Sequence, residues 1–97
     1  MCRQLAAAFA QDLEPHFIVE EKDLPALLAN EQAAQPLLAQ FAAEHATLRQ
    51  LAAALDNQQC SMLEPFATAL AAHVRFEERV LFPAIEQVLA RNEVGPR

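Results

Sequence analysis

A single glycine, Gly95, is all the unrestricted backbone this 97-residue chain carries for tight turns. Hairpins place glycine at positive-φ turn positions, and strands favour β-branched and aromatic side chains. The chain has no Trp and no Tyr, while 21 of its residues are alanine, the strongest helix former. These facts exclude a sheet and predict an all-α fold. At this length a second hydrophobic core has no room, so residues 1–97 are read as one domain.

The charge balance excludes some partners. Thirteen acids against seven bases leave a net charge of −6, which disfavours nucleic acid and anionic membrane surfaces. No apolar run approaches the roughly 18 residues of a membrane span, and Leu5 to Ala10 is too short for a signal peptide's apolar region. Cys2 and Cys60 form neither a disulfide framework nor a paired metal motif, so both are expected to be inert thiols in a reducing cytoplasm.

Apolar spacing predicts three helices, over roughly residues 3–29, 34–55 and 62–91. The first stripe is Leu5, Phe9, Leu13, His16, Glu20, Leu24 and Leu27. The second is Leu38, Phe41, His45, Leu48, Ala52 and Leu55, and the third is Phe66, Leu70, His73, Glu77, Val80 or Leu81, Ala84 and Val88. Alternating steps of three and four mark a buried helix face and shallow packing in an antiparallel bundle. Asn30 is placed at the end of the first helix and Pro36 in the first turn of the second. Ser61 with Glu64 reads as a capping box for the third, and Pro15, Pro25 and Pro83 should bend or interrupt their helices. Residues 94–97 are read as a frayed tail.

Two of the helices carry the same polar pattern. His16, three residues, Glu20-Glu21-Lys22 and then Leu24-Pro25 parallels His73, three residues, Glu77-Glu78-Arg79 and then Leu81-Phe82-Pro83. A His and a Glu at i and i+4 share one helix face and can reach one metal ion. Here His16, Glu20, His45, His73 and Glu77 all stand on stripes that otherwise call for Leu or Phe. Buried carboxylates facing one another repel unless a cation lies between them. Three imidazoles and two carboxylates suit iron, manganese or zinc. Glu21, Glu78 and Glu44 lie beside the seam, where a solvated position or a contact to an imidazole is expected. Phe9, Phe41, Phe66 and Phe82 would form a dry wall, and Arg49, Arg75 and Arg79 the polar face.

With these residues the chain resembles the hemerythrin-like HHE cation-binding domain: His16 with Glu20-Glu21, Glu44-His45, and His73 with Glu77-Glu78 and Leu81-Phe82-Pro83. The likeness covers roughly residues 5–90. It implies an up-down four-helix bundle around a non-haem di-iron centre. Glu20 and Glu77 would then bridge the metals, with His16, His45 and His73 as terminal ligands.

The chain departs from that pattern in two places. The equivalent of His45 ahead of His16 would fall before Met1, so the family's first helix lies outside the sequence, and the chain is either short of it or a piece of a longer protein. Arg49 stands where oxygen carriers place a further histidine. Reversible O₂ carriage is therefore not expected. The expected function is sensing or handling of iron, O₂ or nitric oxide, with no catalytic acid–base pair or nucleophile apart from the metal set. A homodimer or an exchanged segment would cover the groove left along the three helices. The alternative is a metal-free interaction module with a degenerate site. A ferritin-like carboxylate oxidase ranks last, because it requires Glu-first ExxH motifs.

Overall fold

The computed structural model describes residues 2–93 and is all-helical, with three helices and no strand among the described residues. The expected tail at residues 94–97 lies outside the described residues. The first helix runs over residues 2–27, the second over Gln35–Asp56 and the third over residues 63–93. Short 3₁₀ turns, Gln32–Ala34 and Cys60–Met62, lead into the second and third. The expected capping box is not formed: Met62 caps the third helix, with no side-chain hydrogen bond. The first helix ends at Leu27 rather than at Asn30, and the Gln35 amide closes the turn by donating to the carbonyls of Leu28 at 2.9 Å and Glu31 at 3.1 Å. Pro36 does stand in the first turn of the second helix, and Pro25 is accommodated inside the last turns of the first.

After the second helix, Gln59 N–H reaches the Ala54 carbonyl at 3.0 Å and Gln58 N–H the Leu55 carbonyl at 2.9 Å. That is a Schellman closure, and Gln58 takes the left-handed position, φ 64°, that glycine normally fills.

Two prolines leave a larger mark. Each follows a single π-turn: Phe9–Leu13 ahead of Pro15, and Glu77–Leu81 ahead of Pro83. A proline inside a helix lacks the N–H for its own bond and presses its ring on the preceding turn. The wider turn accommodates this. Glu14 N–H donates to the Phe9 carbonyl and Phe82 N–H to that of Glu77, five residues back in both cases. Each π-turn inserts one residue and rotates everything beyond it.

The rotation corrects the predicted stripes. Eight residues separate Phe9 from Phe17, where two α-turns would take about seven. Phe17, not His16, therefore continues the buried face, followed by Leu28 rather than Leu27. In the third helix the π-turn begins only at Glu77, so His73 and Glu77 keep their expected phase, and of the two residues the spacing left open Leu81 is buried and Val80 exposed. Phe76 joins the core unpredicted, while Phe82, expected in the wall, is exposed.

The second helix packs between the other two. Cys2, Ala6, Phe9, Phe17, Leu48, Ala52, Leu55 and Phe66 fill one end of the bundle. Leu28, Ala34 and Val88, then Phe41, Phe76 and Leu81, fill the other. His45 and His73 lie between these apolar ends as the fully buried polar side chains. At the far end of the first cluster Cys2 is disulfide-bonded to Cys60, which corrects the expectation of two free thiols. The bond ties the start of the first helix to the lead-in of the third, and it removes the cysteine-based reason for a reducing compartment. No helix among the described residues is long and apolar enough to cross a membrane.

Candidate metal centre

His45 is delivered from the middle of the second helix and His73 from the third, and both rings are buried. Phe17 stacks flat on the His45 ring, with centroids 3.6 Å apart and planes at 9°. Phe41 packs against the same imidazole at 4.1 Å, tilted by 51°.

Each imidazole uses Nδ1 on a carboxylate. His45 Nδ1 lies 2.7 Å from Glu21 Oε2, and His73 Nδ1 lies 2.7 Å from Glu44 Oε1. An ionised carboxylate only accepts, so the ring proton sits on Nδ1 and the lone pair on Nε2. Both Nε2 atoms point inward and stand 3.2 Å apart. Two lone pairs at that distance repel unless a proton or a cation lies between them. Burial lowers the basicity of His45, which favours its neutral form.

The carboxylates complete the arrangement. Glu77 Oε1 is 3.5 Å from His73 Nε2, and Glu20 Oε1 is 3.8 Å from His45 Nε2. Ligand atoms of His45, His73 and Glu77 all lie within 4.8 Å of one another. The buried atoms Glu20 Oε1 and Glu77 Oε2 have no hydrogen-bond partner. Burial raises Glu20, and burial together with the facing Glu20 pushes Glu77 up to about 7. Orphaned buried oxygens opposite two inward-facing nitrogen lone pairs form a donor set able to hold a cation. The donors fit a cation of the iron, manganese or zinc type.

His16 is placed differently from its counterpart in the repeat. The π-turn upstream of it turns its side chain outward, 62 % exposed, with Nε2 3.2 Å from Glu20 Oε2. Of the five predicted residues, the structure therefore brings Glu20, His45, His73 and Glu77 together. His16 stays at the open edge, joined to the others through Glu20.

The polar frame around the rings was less legible. Glu44 does contact an imidazole, on the neighbouring helix rather than beside it in sequence. Arg49 is not part of the polar face as expected. It bonds both oxygens of Glu14, with Nε at 2.8 and 2.9 Å, and both oxygens of Glu21, at 2.7 and 3.1 Å. These bonds hold Glu21 below the usual carboxylate range and raise the arginine further. The signal was available: Arg49 lies one turn beyond His45, and Glu14 and Glu21 are two turns apart on one face.

The profile of the hemerythrin HHE cation-binding domain matches residues 2–85 of the sequence. No curated protein and no solved structure matches it. A profile match over most of the chain agrees with the helical bundle and its buried His/Glu cluster: the chain belongs to the hemerythrin HHE cation-binding domain family.

Proposed function

We propose that the cation is non-haem iron and that the protein serves in sensing or handling iron, O₂ or nitric oxide. One observation carries this reading: two imidazole Nε2 atoms, each backed by a carboxylate on Nδ1, converge on two orphaned carboxylate oxygens in a buried layer. His45, His73, Glu77 and Glu20 would hold the ion. Glu20 turns one oxygen toward His45 and the other toward His16, so His16 would be the donor for a second iron. Iron supplies an exchangeable electron and an open coordination position for a small diatomic ligand.

The chain's own residues supply the rest. Glu21 and Glu44 keep the ring protons on Nδ1 and aim the lone pairs inward. Phe17 and Phe41 exclude water from the His45 side. The most exposed member of the set is His16, beside Glu20. Arg49 is a permanent cation and cannot ligate, which speaks against reversible O₂ carriage.

The test is elemental analysis of protein purified from iron-replete cells. His73→Ala and Glu77→Ala should lose the iron, and Glu86→Ala, on the exposed side of the third helix, should retain it. Equal iron in all three would overturn the assignment.

A second reading rests on the exposed apolar side chains Leu27, Val74, Phe82 and Leu89. In it the chain is an association module whose second copy covers these side chains, and the polar layer is satisfied by a proton shared between Glu77 and Glu20. Metal-stripped protein that is dimeric and takes up no iron would favour this reading. An iron-binding monomer would exclude it.

A further inference from the structure

The two buried imidazoles are held by unlike frames. Glu44, behind His73, accepts a neutral amide bond from Gln40 Nε2 at 2.9 Å. Glu21, behind His45, lies in the fork of the Arg49 guanidinium, which Glu14 fixes from the other side. Glu21 Oε2 accepts from Arg49 Nη1 and faces His45 Nδ1, both at 2.7 Å. The guanidinium carbon lies 5.7 Å from the centroid of the Phe17 ring, which in turn stacks on His45. Arg49 therefore engages two of the three groups that hold the His45 ring, Glu21 and Phe17, and makes no hydrogen bond to the converging donors.

We propose that Arg49 is a positioning residue for the cation: it clamps Glu21 against Nδ1 of His45, aims the ring, and makes His45 a weaker donor than His73. The physical basis is competition for one carboxylate. Hydrogen bonding to a carboxylate makes an imidazole more basic toward a metal, and a cation on that carboxylate draws the same electron density away. A guanidinium does this with fixed geometry, because its planar fork engages both oxygens at once. Glu44 carries only a neutral amide partner, so His73 keeps the stronger push. A bound ion is then held by unequal nitrogens, and the charge next to the His45 side is partly cancelled. The inference rests on cation binding by His45 and His73, and its test separates the two claims.

The full chain is loaded with cobalt(II), which shifts the ring N–H protons of coordinated imidazoles far outside the ordinary NMR range, one signal for each ring. At one cobalt per chain, wild type should show two such exchangeable signals, from His45 and His73. Arg49→Met should move one of them and speed its exchange with solvent, leave the other in place, and weaken cobalt binding about 10-fold. Glu44→Gln should perturb the signal that Arg49→Met spares. If Arg49→Met does not fold by circular dichroism, Arg49→Lys is read in the same way, since one ammonium cannot hold both oxygens of Glu21 and both of Glu14. Two unchanged signals with unchanged affinity, or an equal change in both, would overturn the role of Arg49 while leaving the cation site standing. Cobalt bound without shifted imidazole protons would overturn the cation site itself, and the role of Arg49 with it.

Discussion

Removing the charge of Glu77 should stabilise the metal-stripped protein and destabilise the loaded one. In the folded chain Glu77 is pushed from 4.5 up to about 7, first by burial and then by the facing Glu20. An acid whose folded value is raised binds its proton more tightly folded than unfolded. Its stabilising effect is complete below pH 4.5 and is lost as pH rises toward 7, where the chain must bury a charge or release the fold. At about 1.4 kcal/mol per unit the loss is somewhat over 3 kcal/mol, and partial solvent contact brings it nearer to 2 kcal/mol. For a domain of this size that is on the order of 10 °C in Tm. The assay is thermal unfolding of chelator-treated wild type and Glu77→Gln between pH 5 and pH 8.5. Wild type should lose stability across the window. Glu77→Gln should lose less, with a remaining slope from Glu20, which is also raised by burial, and should be the more stable of the two at pH 8. Adding iron(II) should reverse the order, because wild type gains a charged ligand that Gln cannot supply. Identical profiles without metal would refute the reasoning that two carboxylates confront each other in this layer.

Further outcomes follow from the rest of the structure. Cys60→Ser opens a cross-link spanning 58 residues; chain entropy alone sets the loss at about 4 kcal/mol, and denaturant unfolding in oxidising buffer should show 2 kcal/mol or more. Gln58→Gly relieves a side chain held at positive φ and should raise stability by up to about 1 kcal/mol, read as a higher urea midpoint with unchanged slope. Phe17→Ala should cost about 3–5 kcal/mol through the cavity it leaves, and it should weaken metal binding because His45 loses its stacking partner. Light scattering at micromolar concentration tests whether a second copy covers Leu27, Val74, Phe82 and Leu89: a dimer is expected, and Phe82→Glu should dissociate it.

Much of the architecture was legible from spacing because helical periodicity is local. The second helix has no π-turn, and its predicted stripe at Phe41, His45, Leu48, Ala52 and Leu55 is its buried face. The first helix shows where that reasoning ran out. Periodicity assumes a constant number of residues per turn, and the π-turn at Phe9–Leu13 breaks the count. Pro15 was visible as a disturbance, but a kink, a break and an inserted residue are alternatives that the local sequence does not separate. Because one π-turn precedes the first copy of the His–Glu motif and the other begins only at Glu77 of the second copy, the copies are equal in sequence and unequal in space. His73 is buried among ligands, and His16 faces outward.

What the sequence determined by itself was the all-helical fold and the presence of costly polar residues on core stripes, since helix propensity and the price of burying charge belong to individual residues and their spacing. What only the tertiary structure decided was partnership. Glu44 serves the imidazole of another helix, Arg49 reaches two carboxylates of the first helix, and Cys2 finds Cys60. Such pairings depend on helix rotation and relative height, which a single inserted residue shifts by about 100°.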